Sequence, residues 1–208
     1  MKLTLGTRNP GKLSELFHLA KGAEKLTLQL APDGFAPEET GSTYEENALI
    51  KALAAAKLAL APAVGEDSGI EVDALNGKPG IFSARYCPGS DKDRCHKLLD
   101  DLAGKPQKKR SARYVCAMAL VDENGKVLKQ TIGKWEGQIA LAEAGTNGFG
   151  YDPIFYLPEY GKTAAQLTSE EKNRISHRAL AWKKMLAFII RWQKEAKRHT
   201  ASLKSPRR

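Results

Sequence analysis

The feature that most constrains the fold of this 208-residue chain is a predicted β-hairpin near its centre. Two segments, 112–121 and 127–139, are predicted to be long strands, and the dipeptide Asn124-Gly125 lies between them. Asn-Gly favours the tight turns that join antiparallel strands. The hairpin therefore predicts a sheet that contains at least one long antiparallel pair.

Helices are predicted on both sides of this hairpin along the chain. Ser42 and Thr43 precede Glu45 and Glu46 by three residues, which makes two overlapping capping boxes, and the helix that they start stops before Pro62. The other predicted elements are helices over 12–21, over 90–102 and from 168 onward, and short strands over 2–5, 26–30, 63–64, 70–72 and 154–157. This alternation of helices with strands predicts the α/β class with a mixed sheet.

The positive charge of the chain is concentrated near its C-terminus. Residues 183–208 hold nine Lys or Arg residues and one acid, a local charge of +8, whereas the whole chain carries +9. We therefore divide the chain into a domain over 1–190 and a basic extension over 191–208, mobile at its end. The extension could bind nucleic acid, but a solvated end is favoured because no aromatic residue follows His199 to stack on bases.

Composition favours a cytoplasmic protein. Apolar residues make up 42% of the chain, yet no run reaches the ~18 residues that a membrane span needs. The first residues lack the pattern of a secretory signal. The three cysteines form no C-x-x-C pair, which argues against a disulfide framework or a zinc site.

Two adjacent acids give the first indication of a functional site. Gly65-Glu66-Asp67-Ser68-Gly69 is predicted to be a tight turn between two short strands. Adjacent carboxylates repel each other, and a hard cation such as Mg²⁺ would compensate their charge. The alternative is a solvated acidic turn without a ligand.

The segment from Gly6 to Leu13 resembles a phosphate-binding loop between the first strand and the first helix. Leu13 stands where a P-loop has the hydroxyl that binds Mg²⁺, so a P-loop nucleotidase is disfavoured. Backbone N–H groups at the helix start and Lys12 still form a candidate anion site. A plain strand-to-helix turn is the alternative.

Three further segments have residues that suit a phosphorylated ligand. Glu39 could share a cation with Asp67, and Lys51 lies on the helix that follows. The segment 145–153 is glycine-rich and contains Phe149, which offers a flat face to a base. Lys172, Arg174, His177 and Arg178 crowd the predicted start of the last helix, where cations oppose the helix dipole. Each segment taken alone is also compatible with an ordinary loop or helix end.

Taken together, these segments resemble the inosine triphosphate pyrophosphatase family, whose members hydrolyse ITP, dITP and XTP to the monophosphate and pyrophosphate. The motifs occur in family order over residues 3–190, and their combination is specific although each one alone is weak. They are Thr7 to Lys12, Glu39-Thr40-Gly41, Glu46-Asn47-Ala48, Asp67-Ser68-Gly69, Pro79-Gly80-Ile81 with Ser83 to Tyr86, Gly148 to Pro153, and Lys172 to Arg178.

The resemblance implies an elongated mixed β-sheet with flanking helical lobes, a central active-site cleft, a homodimer and dependence on Mg²⁺. It implies that Glu39 and Asp67 hold Mg²⁺ and that Asp67 is the catalytic proton acceptor. The residues that it implies around the substrate are Thr7, Arg8, Asn9, Pro10, Gly11 and Lys12 at the triphosphate, Ser68 and Lys172 beside it, and Phe149, Gly150, Tyr151, Asp152, His177 and Arg178 around the base and sugar. Lys51 is a further candidate cation for the phosphate oxygens.

Two departures from the family pattern concern single positions. Glu66 stands where many relatives have Asp, so a direct metal role for Glu66 is not expected, and Glu66→Gln should reduce activity less than Asp67→Asn. Arg8 stands where relatives often have a small residue. Two other functions remain open: a nucleoside triphosphate pyrophosphatase that prefers another base, such as a modified pyrimidine, and a nucleic-acid-binding protein that uses the basic extension.

Overall fold

A computed structural model of the chain describes residues 1–23 and 26–203. Its strands there are β1 (Lys2–Gly6), β2 (Thr27–Leu30), β3 (Ala63–Val72), β4 (Ser111–Val121), β5 (Val127–Ile139), β6 (Phe155–Leu157) and β7 (Lys162–Thr163). They form one sheet in the order β2-β1-β3-β4-β5-β6-β7. The pairs β1–β2 and β1–β3 are parallel and the other pairs are antiparallel. The predicted α/β class with a mixed sheet is confirmed.

Helices cover both faces of this sheet. The α-helices of the described residues are α1 (Pro10–Leu19), α2 (Tyr44–Ala59), α3 (Asp91–Asp101), α4 (Ser169–Ile175) and α5 (His177–Leu203). Successive side chains of β4 point to opposite faces, as they must in a strand. Ala117 therefore packs in a cluster with Ala52 of α2, while Met118 packs with Trp182 of α5.

A third cluster forms a second lobe at one end of the sheet. It joins Leu98 of α3 to Trp135 of β5 and Phe155 of β6. The first lobe is formed by the other two clusters, which include Ala63 and Val64 of β3, whereas Ile70 of β3 belongs to the second lobe. The residues between them, 67–69, line the cleft described below.

The central hairpin and the helix caps were predictable from the sequence. Strands β4 and β5 pair antiparallel from Ser111↔Gln138 to Val121↔Val127, and the turn between them is closed by a bond from Asp122 N to Lys126 O. Thr43 caps α2, since its hydroxyl oxygen accepts from Glu46 N at 3.1 Å.

The predicted turn over residues 65–69 is wrong, because these residues lie inside β3. Gly65 pairs with Gly6 of β1, and the whole segment pairs with β4. The two glycines permit close packing rather than a turn. A Cβ on Gly65 would lie 2.1 Å from Ala48 O of α2, and a Cβ on Gly69 would lie 2.2 Å from Gly80 O.

The single last helix of the prediction is divided at Ser176. Ser176 is extended, with φ −67° and ψ 158°, and its hydroxyl oxygen accepts from Ala179 N of α5 at 3.2 Å. Lys172 and Arg174 consequently lie near the C-terminal end of α4, where cations are favourable. The inference that they oppose a helix dipole was therefore wrong.

The basic C-terminal end is described only in part. Helix α5 continues to Leu203, and residues 204–208 lie outside the described residues. The division at residue 190 and the mobility of the end therefore stay predictions. Within 1–23 and 26–203, no helix is long and apolar enough to cross a membrane.

Arg110 joins the second lobe to the sheet, and its loss should destabilise the protein. Its guanidinium is 4% exposed and donates to Leu102 O, Lys105 O and Ala140 O at 2.8–3.0 Å. Arg110→Met leaves these carbonyls without their donor, so we expect a loss of about 3 kcal/mol in the free energy of unfolding, measured in urea.

Arg113, on β4 three residues after Arg110, supplies the matched control. It pairs with Glu71, Asp73 and Glu136 at the surface. Arg113→Met should cost less than about 1 kcal/mol, since exposed ion pairs contribute little. Equal losses for the two variants would contradict the structural role of Arg110.

Candidate active site

A cleft of about 350 Å³ opens between the two lobes. It is lined by the end of β1, the middle of β3, one face of α2, the glycine-rich segment 145–153 and the start of α5. Fifteen of the seventeen predicted site residues line it: Thr7, Arg8, Asn9, Lys12, Glu39, Lys51, Asp67, Ser68, Phe149, Gly150, Tyr151, Asp152, Lys172, His177 and Arg178. Pro10 and Gly11 do not, although Gly11 contacts the cleft residue Phe149.

The β1–α1 loop presents polar groups to the cleft. Asn9 caps α1, with its side-chain oxygen accepting from Lys12 N at 3.0 Å, and Pro10 is at the first turn. Lys12 Nζ lies 3.2 Å from Glu66 Oε1. Arg8 donates to the carbonyl oxygen of Pro32, so it fastens this loop to the 31–43 segment as well as lining the cleft.

Glu39 and Asp67 converge on the ammonium group of Lys51. Lys51 Nζ lies 2.6 Å from Glu39 Oε1, 2.7 Å from Asp67 Oδ1 and 3.1 Å from the carbonyl oxygen of Glu66. All three donors of the ammonium therefore have an acceptor. The second oxygen of Asp67 has only a weak contact, with Asn47 Nδ2 at 3.5 Å.

This pair of carboxylates fits a divalent cation. Both already contact one positive group, and both offer the oxygen ligands that Mg²⁺ prefers. No group of three or more His, Cys, Asp or Glu side chains suited to a metal occurs in 1–23 and 26–203. The remaining ligands of an ion held here would have to be water and the bound substrate.

Glu66 faces the opposite side of β3 from Asp67. Two adjacent acids in a strand point to opposite faces, so the charges of these two neighbours are compensated separately. Glu66 is 1% exposed and accepts two hydrogen bonds of 3.0 Å from Arg178 of α5. Each of the two acids thus has its own cationic partner.

The fold shifts the pKa values of these two acids in opposite directions. Burial raises the pKa of Asp67, and the nearby ammonium groups of Lys51 and Lys12 offset this only in part. Burial also acts to raise the pKa of Glu66, but Arg178 and Lys12 outweigh it and hold that pKa well below its usual range. The folded state therefore favours the charge of Glu66 and disfavours that of Asp67.

A further part of the cleft lining combines aromatic faces with buried charges. Lys172 Nζ donates to Asp152 Oδ2 and lies 4.9 Å from the centre of the Phe149 ring. The backbone N–H of Phe149 donates to Asp152 Oδ2 at 2.9 Å, which fixes the ring beside this pair.

His177 is a buried neutral imidazole. Its ring stacks on Tyr114 at 4.5 Å with an interplanar angle of 8°, and its Nδ1 has no hydrogen-bond partner. Burial, together with Arg178 and Lys172, holds the pKa of His177 well below its usual range. The imidazole can therefore offer one donor or one acceptor to a bound ligand.

Four residues around the cleft were missed by the sequence reasoning, and Arg85 was part of a motif but was given no role. Glu15 bridges Lys172 and Arg178, Arg85 pairs with Glu39, and Tyr114 stacks on His177. Asp91 accepts from Gly150 N at 2.7 Å, and the neighbouring Arg94 also lines the cleft. Their spacing in the sequence carries no signal, because strand and loop packing brings them to the site.

The buried charges of the cleft nearly balance. Four cations, Lys12, Lys51, Lys172 and Arg178, contact five acids, Glu15, Glu39, Glu66, Asp67 and Asp152. A strongly anionic ligand would find no excess of positive charge in this cluster. It would have to displace some of these acids or bring cations with it.

Comparison with known proteins identifies relatives of the chain. The sequence model of the Ham1 family matches residues 3–188. A dITP/XTP pyrophosphatase of Symbiobacterium thermophilum is 50% identical over 180 residues, which cover 86% of this chain and 90% of that protein. One from Gloeobacter violaceus is 50% identical over 189 residues, covering 91% and 94%. The solved structure of a HAM1 protein from Coxiella burnetii matches with a TM-score of 0.81 at 40% identity, covering 92% of this chain and 99% of that one.

Proposed function

The chain belongs to the Ham1 family, and on that premise we propose that it hydrolyses the non-standard purine nucleoside triphosphates ITP, dITP and XTP to the monophosphate and pyrophosphate. The observation that carries the proposal is the set of groups that line one cleft. An anion-binding helix start, two convergent carboxylates, and aromatic and hydrogen-bonding groups for a base all line it.

The charge balance of the cleft supports a requirement for Mg²⁺. A nucleoside triphosphate carries several negative charges, and the buried cations of the cleft are already paired. Mg²⁺ held by Glu39 and Asp67 would neutralise charge on the pyrophosphate leaving group. Lys12, Lys51 and Lys172 would bind phosphate oxygens after exchanging their present carboxylate partners.

Asp67 is the proposed proton acceptor. Its Oδ2 is only weakly engaged, so this oxygen is free to accept a proton. A water there would give its proton to Asp67 as its oxygen attacks phosphorus. The bond between the α- and β-phosphates breaks, and its electrons leave with pyrophosphate.

A donor beside the aromatic ring of Phe149 would select a 6-oxo purine. The guanidinium carbon of Arg178 lies 5.6 Å from the centre of that ring, and one N–H of Arg178 is left after its bonds to Glu66, Glu15 and Ser68. This remaining donor can meet O6 of hypoxanthine or xanthine. The amino group of adenine would instead face it with its own N–H groups, and such buried mismatches discriminate strongly.

A panel of nucleoside triphosphates tests this function. With Mg²⁺ we expect fast pyrophosphate release from ITP, dITP and XTP, slow release from ATP, and no turnover with EDTA. Slow release from GTP is also expected, but it is implied by the family and not by this donor, because guanine carries O6 as well. A preference for a modified pyrimidine triphosphate would support the other base specificity. Equal rates on all standard nucleotides would contradict the proposed donor arrangement.

Gly11→Ala should weaken nucleotide binding without unfolding the protein. A Cβ on Gly11 would lie 2.5 Å from the Phe149 ring, so the ring must move away from its present position. Loss of base stacking is worth about 1–3 kcal/mol, so we expect KM for ITP to rise roughly tenfold. Steady-state kinetics measure this, with Ser14→Ala on the exposed side of α1 as control. An unchanged KM would mean that this ring does not stack on the base.

We also infer a homodimer and a cytoplasmic location, both implied by the family. A groove next to the cleft supports the dimer, because Tyr44, Ile132 and Phe82 line it and Phe82 is 54% exposed. Light scattering tests the assembly: we expect twice the chain mass, and a monomer for Phe82→Asp. A monomeric wild-type protein would contradict it.

A further inference from the structure

Arg85 contacts one of the two proposed metal carboxylates from outside the site. It ends a short 3₁₀ helix (Gly80–Arg85), and its Nη1 lies 2.9 Å from Glu39 Oε2. The guanidinium carbon lies 5.2 Å from the centre of the Phe82 ring, which supports it from the other side.

The orientation of Glu39 depends on few contacts. Glu39 lies in the segment 31–43, which has neither helix nor strand. Its side chain contacts Lys51 through Oε1 and Arg85 through Oε2. The two oxygens are thus held from opposite sides by two cations.

The contact with Lys51 is incompatible with a divalent cation at the same oxygen. Lys51 holds Glu39 Oε1 and Asp67 Oδ1 at once, which are the oxygens that the metal would need. Lys51 must give up Glu39 when these oxygens bind the ion, because two cations repel at such a distance. Arg85 then remains as the side-chain partner that fixes Glu39.

We propose that Arg85 is a positioning residue that holds Oε2 of Glu39 so that Oε1 stays directed at the divalent cation. The inference rests on the proposed function, since it assigns a role toward the Mg²⁺ of that reaction. Loss of such an outer partner typically lowers metal affinity 10- to 100-fold. Because the Arg85 side chain is 45% exposed, we expect a loss of about tenfold.

The direction of the change in Mg²⁺ affinity distinguishes a positioning role of Arg85 from a purely electrostatic one. Arg85 is a cation close to a metal site, so removing its charge alone would strengthen Mg²⁺ binding. Positioning predicts the opposite, because Glu39 becomes free to rotate away. A weaker Mg²⁺ affinity in Arg85→Gln would therefore support positioning by its direction as well as by its size.

The experiment measures binding rather than turnover. Calorimetry gives the affinity of an ITP analogue whose α,β-bridge is an uncleavable imido group, at a series of Mg²⁺ concentrations. We expect the Mg²⁺ midpoint to rise about tenfold in Arg85→Gln and less in Arg85→Lys, which keeps a donor. Arg113→Gln is the control, since Arg113 pairs with Glu71, Asp73 and Glu136 and does not line the cleft; its midpoint should stay the same.

A double-mutant comparison completes the test. In a Glu39→Gln background, Arg85→Gln should change the midpoint no further, because the group that it positions is gone. An unchanged or lower midpoint for Arg85→Gln in a folded protein would overturn the inference. If the midpoint does not rise in Arg85→Gln but the wild-type protein releases pyrophosphate with Mg²⁺, the proposed function stands and only the role of Arg85 fails. If the wild-type protein releases no pyrophosphate, both the proposed function and the role of Arg85 are refuted.

Discussion

Asp67→Asn should lower kcat for ITP by about 10³-fold or more, without loss of stability. The amide cannot accept the proton of the attacking water, and it is a poorer ligand for Mg²⁺ than the carboxylate. Burial raises the pKa of Asp67, so the folded state already disfavours its charge. Removing that charge should leave the free energy of unfolding unchanged or slightly higher.

Kinetics and urea unfolding of the same preparation check both parts. Glu39 remains to pair with Lys51 in the variant, so the ammonium is not left alone. A folded Asp67→Asn protein with near-wild-type turnover would rule out both proposed roles of this carboxylate. A large loss of stability would contradict the inference from its raised pKa.

Glu66→Gln should have the opposite profile and destabilise the protein by about 3 kcal/mol. Glu66 is buried, and Arg178 and Lys12 hold its pKa well below the usual range, so the folded state depends on its charge. The amide cannot balance the charge of Arg178, which is itself 1% exposed. Removal of one member of a buried ion pair commonly costs this much.

The two neighbours thus have separate predicted roles, Asp67 in the reaction and Glu66 in the stability of the fold. Unfolding in urea should show the loss for Glu66→Gln, and activity of the folded fraction should fall less than in Asp67→Asn. Wild-type stability of Glu66→Gln would mean that Glu15 alone balances Arg178. In that case the buried pair would be dispensable.

Local signals predicted much of this fold. Asn124-Gly125 located the central hairpin, and Thr43 with Glu46 located the start of α2, because turn and cap preferences act within a few residues. The motif residues were expected to share a cleft, and the structure brings fifteen of them together there. The roles given to them remain predictions.

The errors in the sequence-based prediction came from residues whose structural role depends on tertiary contacts. Gly65 and Gly69 suggest a turn in the sequence, but in the fold they let α2 and the 80–85 segment approach β3. Ser176 gave no stop signal within a helical pattern, yet it divides the last helix and caps α5. Arg85 and its ion pair with Glu39 join positions 46 residues apart. Such pairs follow from the packing and not from the spacing in the sequence.

The most direct test of the whole account is the identity of the products. Phosphorus NMR of ITP incubated with the protein and Mg²⁺ should show IMP and pyrophosphate in equal amounts, with no IDP. This result places the broken bond between the α- and β-phosphates, as the proposed arrangement of Glu39, Asp67 and the phosphate-binding loop requires. The appearance of IDP and orthophosphate would place the cut at the γ-phosphate and contradict the account.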